Sequence, residues 1–92
     1  MLREMSLPNV KLLYFAWVRE KIGRGEETIE LPQDVTTVSD LVQWLRQRGP
    51  EYEAAFGDQA AVRVAINQLH VEHDTELGNA REIAFFPPVT GG

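Results

Sequence analysis

Thr37-Val38-Ser39-Asp40-Leu41-Val42-Gln43-Trp44-Leu45-Arg46-Gln47-Arg48, followed by Gly49-Pro50, is the clearest helical stretch in the chain. Val38, Leu41, Val42 and Leu45 recur at i, i+3, i+4 and i+7, so one side of the helix is apolar. Thr37 is a good N-cap, and Asp40 three residues on makes a variant of the capping box at the positive end of the helix dipole. Gly49 and Pro50 stop the helix. Its stripe needs an apolar surface to cover, and the sequence on either side supplies strands.

Upstream, Val10 to Phe15 is a short apolar run rich in β-branched and aromatic residues, and it reads as a strand. Side chains alternate along a strand, so Val10, Leu12 and Tyr14 face one way and Lys11, Leu13 and Phe15 the other. Ala16 to Ile22 suits a short helix ending at Gly23, and Gly23-Arg24-Gly25 is a turn. Glu26 to Leu31 is a second strand stopped by Pro32, antiparallel to the first.

Downstream, Tyr52 to Phe56 suits one further helical turn. Val62, Val64 and Ile66 alternate with Arg63 and Ala65 in a third strand. Asn67-Gln68 is a turn, Leu69 to Glu72 a brief fourth strand, and Leu77-Gly78-Asn79 another turn. Glu82 to Phe86 is the last strand, with Ile83 and Phe85 on one face and Ala84 and Phe86 on the other. Strand, strand, helix, strand, short strand, strand is the order of a ubiquitin-like β-grasp, an α+β fold in which a mixed sheet curls over one main helix. Residues 10–86 form that domain, residues 1–9 a flexible leader with Met5 an alternative start, and residues 87–92 an extended tail.

Composition narrows the function. With 92 residues the chain holds one domain and a modest core, with little material for an active-site cavity of its own. A net charge of −5 and scattered basic residues argue against nucleic acid as the main partner. There is no cysteine, which excludes disulfides, a cysteine nucleophile and thiolate metal sites, and which fits a cytoplasmic protein. No apolar run approaches the roughly 20 residues that span a bilayer.

The tail is the distinctive feature. Pro87-Pro88 cannot donate ladder hydrogen bonds, so the sheet must end there, and the backbone stays extended and stiff. Val89-Thr90-Gly91-Gly92 then thins to two residues without side chains. Six residues beyond Phe86 reach roughly 20 Å. A stiff base with a thin tip suits entry into another protein's active site, because glycine lets backbone approach where a Cβ would clash. Gly-Gly at the end of an arbitrary chain is more often a frayed terminus. Here the glycines follow directly on a final strand and a proline pair.

Ala84-Phe85-Phe86-Pro87-Pro88-Val89-Thr90-Gly91-Gly92 resembles the terminus of the molybdopterin synthase small subunit, a ubiquitin-like sulfur carrier. Val10 to Ala16 with Val18-Arg19-Glu20, and Val64 to Gln68, are similar to that family as well. Asn79-Ala80-Arg81 departs from its more acidic, glycine-containing turn and touches no functional residue. The resemblance implies that an ATP-dependent, ubiquitin-activating-like adenylyltransferase adenylates Gly92 and that a sulfur donor converts the adenylate to a thiocarboxylate. The tail, with Thr90 and Gly91 behind Gly92, then enters the synthase large subunit and gives sulfur to cyclic pyranopterin monophosphate. A heterotetramer of two small and two large subunits is implied, with no cofactor bound and no catalytic site in this chain. A thiazole-pathway sulfur carrier and a ubiquitin-like protein modifier are the alternatives.

Phe15 and Phe86 lie opposite the expected core on neighbouring strands, so together they make an exposed patch of the kind that marks interaction sites. Arg19 resembles a partner-contacting position of the family, and Pro87 and Pro88 join the same surface. Other candidates are weaker. His70 and His73 point to opposite faces if both lie in one strand, so they read as solvated or packed, and no metal site is expected. Glu26-Glu27 and Glu51-Tyr52-Glu53 read as exposed charges, Trp17 and Trp44 as packing residues, and no serine or threonine has a base beside it.

Overall fold

Alternation puts Val10, Leu12 and Tyr14 on one side of the first strand, and all three are buried in the computed structural model, which describes residues 9–88. The first strand, β1 (Asn9–Tyr14), leads into α1 (Ala16–Ile22). Phe15 therefore leaves the expected strand and occupies the N-cap position of that helix, still in extended conformation. Gly23 ends α1 at φ 92°, a left-handed conformation that glycine enters without steric cost, and its N–H donates to Arg19 O at 2.8 Å. β2 (Glu26–Glu30) returns antiparallel to β1, with Val10 opposite Ile29.

The expected main helix is α2 (Val38–Arg46), and Val38, Leu41, Val42 and Leu45 are all buried. Its capping box is complete: Asp40 N donates to Thr37 Oγ1 at 3.1 Å, and Thr37 N donates back to Asp40 Oδ2 at 3.2 Å. Bonds from the Thr36 and Thr37 backbone hold the Asp40 carboxyl below its ordinary value. Thr37→Ala is expected to cost about 1 kcal/mol. In a thermal melt, that is a fall of about 4–8 °C in midpoint for a domain of this size.

Two expectations need correction. Pro50 does not merely stop a helix; it opens α3 (Pro50–Phe56), a full seven residues where one further turn was expected. Proline fits the first helical position because its missing N–H has no helical partner there in any case. Three α-helices therefore accompany the sheet, with α1 and the main helix α2 where they were expected, and α3 buries Tyr52, Ala55 and Phe56. A short 3₁₀ turn (Gln59–Ala61) leads to β3 (Arg63–Ile66) and β4 (Leu69–Val71). Asn67 and Gln68 both have positive φ, 49° and 74°, the signature of a type I′ hairpin turn. β5 (Glu82–Phe86) completes the sheet.

The strand order is β2-β1-β5-β3-β4. β1 and β5 run parallel at its centre, with Tyr14 beside Phe85, and the other pairs are antiparallel. This is the mixed sheet expected of a β-grasp. Tyr14, Phe56 and Phe85 form an aromatic knot in the core, with centroids 5.1–6.4 Å apart.

Candidate functional site: a docking face and the root of the tail

The helices cover one face of the sheet, and alternation sends every second side chain to the other. On that outer face Leu13 pairs with Ala84, Ala84 with Ala65, and Ala65 with His70, which gives one row of small or apolar groups across four strands. The next row starts where β1 ends. Phe15 N donates to Phe85 O at 3.0 Å, which sets Phe15 beside Phe86, and Phe86 pairs in turn with Arg63. Phe15 is 48% exposed, one of two large exposed apolar side chains among the described residues. Phe86 is half-buried, and the ring packed against it is His70, at 5.0 Å between centroids. The backbone thus sets the two phenylalanines side by side, Phe15 exposed and Phe86 only half-exposed, with His70 as a further ring against Phe86.

The chain leaves the sheet from the same place. Pro87 is half-buried and Pro88 exposed. Thr90, Gly91 and Gly92 lie outside the described residues. Arg19 is exposed on α1, and its guanidinium lies over Gly25, where a Cβ would stand 3.4 Å from Cζ. Ala16, just after Phe15, has φ 54°, a left-handed conformation that costs an L-residue roughly 1–2 kcal/mol. No group of three or more potential metal ligands exists among the described residues.

Two readings of single residues are corrected. The strand β4 ends at Val71, so His73 is outside it, and its Nε2 sits 2.9 Å from Val62 O. Glu27 is not an exposed charge: its side chain is 7% exposed. It accepts hydrogen bonds from Tyr14 Oη and Tyr52 Oη, both at 2.7 Å, on one carboxylate oxygen. Arg48 and Arg24 reach the other oxygen at 3.1 and 3.4 Å. Burial alone would push this carboxyl up, but the tyrosine hydroxyls and Arg48 outweigh burial and hold it below its ordinary value. Burial, and then the bond to Glu27, push Tyr14 upward in turn. This cluster ties β1, β2, α3 and the end of α2 together beneath the sheet, away from the outer face.

A family model described as the ThiS family matches residues 12–92, nearly the whole chain. The chain belongs to the ThiS family. The molybdopterin synthase sulfur carrier subunits of Haemophilus influenzae and Escherichia coli are each 39% identical to this ThiS-family chain over 83 residues, covering 90% of it and 99% of them. Among solved structures, molybdopterin converting factor subunit 1 of Pyrococcus furiosus is similar at a TM-score of 0.70 and 34% identity, covering 88% of this chain and 98% of that one. Small archaeal modifier protein 1 of Haloferax volcanii is similar at 0.69 and 26%, with the same coverage. These likenesses agree with the α+β, ubiquitin-like β-grasp expected for the ThiS-family chain. None of its described helices is long and apolar enough to cross a membrane.

Proposed function

We propose that this chain is the sulfur carrier subunit of a molybdopterin synthase and that it carries the sulfur as a thiocarboxylate on Gly92. The observation that carries the reading is the 39% identity to sulfur carrier subunits over 99% of their length. The sequence Phe86-Pro87-Pro88-Val89-Thr90-Gly91-Gly92, leaving the sheet beside an apolar face, supports it.

The chemistry follows from the limits of a carboxylate. It is a poor electrophile, and its oxygen is a poor leaving group. A ubiquitin-activating-like adenylyltransferase spends ATP to join the Gly92 carboxylate to AMP, with pyrophosphate leaving. Sulfur from a donor then displaces AMP and leaves the thiocarboxylate, one hard step divided into two easier ones. The loaded tail enters the synthase large subunit, and two such deliveries to cyclic pyranopterin monophosphate build the dithiolene. This chain supplies the acyl group, the reach and the docking face; its partners supply the catalytic groups. Two small subunits on a dimer of large ones is the assembly this reading favours.

The face of Phe15 and Phe86, with Arg19 at its rim and Pro87-Pro88 as a stiff hinge-free root, binds the activating enzyme and the large subunit in turn. Phe86→Arg places a charge in the middle of it. It is expected to weaken both complexes at least about tenfold, as loss of a central aromatic anchor does, with circular dichroism unchanged. Unchanged affinity for both partners would move the docking surface elsewhere. The carrier chemistry itself is tested by incubating the chain with activating enzyme, ATP and a sulfur source and weighing it intact. Sulfur for oxygen adds about 16 Da, and fragmentation must place that mass at Gly92 and not at a methionine, where oxidation adds nearly as much.

Likeness to small archaeal modifier protein 1 favours one second reading, a protein modifier. It uses the same terminus but ends in an isopeptide bond to lysine. High-mass conjugates in cell extract that vanish on deletion of Gly92 would establish it.

A further inference from the structure

We propose that His70 is a working part of the docking face and that the synthase large subunit binds this chain only while the His70 imidazole is uncharged, so that acidification releases the partner. The inference rests on the docking reading above.

His70 is exposed on β4, directly across from Ala65 and in one row with Ala84 and Leu13. Its ring lies against Phe86 at 5.0 Å with a 46° tilt, so any apolar partner that covers Phe86 also covers His70. An imidazolium loses its water in such a contact, and desolvation disfavours the charged form. A neutral imidazole packs as an amphipathic ring instead.

The charged neighbours do not offset that cost. On β3 Arg63 lies in the next row, beside Phe86, and Glu72 follows directly on the end of β4. Arg63, Glu72 and His73 line with His70 a shallow pocket of about 280 Å³. On β5 the charge on this face is Glu82, and on β1 it is Lys11, which pairs with Glu26 of β2 at 3.7 Å. Among the described residues, no carboxylate forms an ion pair with His70. An acidic group and a basic one, Glu72 and Arg63, thus share the pocket with the ring.

Histidine ordinarily titrates near about pH 6.5. If only the neutral form docks, affinity falls about tenfold between pH 7.5 and 5.5. The experiment measures Kd of the full chain for the synthase large subunit at both pH values, for wild type, His70→Leu and His73→Gln. Titrations within the partner are common to all three and cancel in the comparison. The expected result is that wild type and His73→Gln lose about tenfold more affinity than His70→Leu on going to pH 5.5. NMR of the His70 ring should show it losing its proton more readily in the complex than in the free chain. Parallel pH profiles for wild type and His70→Leu would overturn the proposal, as would tighter wild-type binding at pH 5.5, which would mean the partner offers His70 a carboxylate. Phe86→Arg at pH 7.5 separates the two levels. If it weakens binding while the profiles run parallel, only the role of His70 fails; if it leaves binding unchanged, the docking reading fails and this proposal with it.

Discussion

A chain lacking Gly92 is expected to take up no sulfur and to support no molybdopterin formation, while melting at the same temperature as the full chain. Deletion leaves a carboxylate on Gly91, chemically the same group, so the loss must come from position. One residue of extended backbone spans about 3.3–3.6 Å. Reacting atoms have to sit about 3–3.5 Å apart and aligned before a displacement proceeds. A tail one residue short therefore holds its acyl carbon a full contact distance from the adenylating and sulfur-transfer centres. Folding is expected to be indifferent, because the last buried core residue among the described ones is Phe85. Intact mass after incubation with activating enzyme, ATP and sulfur source checks the first half; a thermal melt checks the second. A Gly92-deleted chain that still restores cofactor synthesis would overturn the carrier reading altogether.

Glu27→Ala is expected to be the most damaging single substitution outside the apolar core. It strands two hydroxyls, Tyr14 Oη and Tyr52 Oη, each of which donates to Glu27 at 2.7 Å, and the Tyr14 side chain is almost wholly buried. Leaving a buried donor without an acceptor costs about 1–3 kcal/mol. Arg24 is 56% exposed and Arg48 32% exposed, so water screens those pairs and they add little. A total loss of about 3 kcal/mol is expected. That corresponds to a fall of about 12–24 °C in the melting midpoint. The pH dependence has a definite sign. Glu27 is held below its ordinary value in the fold, so its contribution is fully present above the unfolded value and is lost as pH falls through the folded one. Denaturation midpoints of wild type and Glu27→Gln should therefore converge in acid and separate toward neutrality. Midpoints that differ equally at all pH values would mean the carboxylate's charge plays no part.

The main helix was legible because its signals are local. A capping residue, a 3.6-residue period and a Gly-Pro stop all lie within Thr37 to Pro50, and no distant contact has to be known. α3 was less legible because Pro50 serves two helices at once, ending one region and opening the next. Glu27 was missed, although the signal was present: Ile29 faces the core, and alternation then puts Glu27 there too. What the sequence could not supply was the acceptor's reason for being inside, since Tyr14 and Tyr52 meet it from 13 and 25 residues away. His70 was set aside for a related reason. Spacing along the chain pairs it with His73, whereas β3 and β5 place it beside Phe86. Phe86 was readable because β5 alternates cleanly, and Phe15 because its backbone stays extended for one residue past the end of β1. The tail was readable only as composition, and its tip lies outside the described residues.

The parallel pairing of β1 with β5 bears on how the protein comes into being during synthesis. Tyr14 and Phe85 are neighbours in the sheet although they lie 71 positions apart in the chain (85 minus 14). β5 also stands between β1 and β3, so without it no ladder joins the β2–β1 hairpin to the β3–β4 hairpin. A nascent chain that has not yet delivered Glu82 to Phe86 holds two separate hairpins, each with an open inner edge, and local contacts alone cannot close the gap. The strand that closes the sheet is the same strand that leads into Pro87 and Pro88. Completion of the fold and presentation of the tail's root are therefore one event, and a translation product stopped before β5 offers partners neither the assembled outer face nor the segment that leaves it.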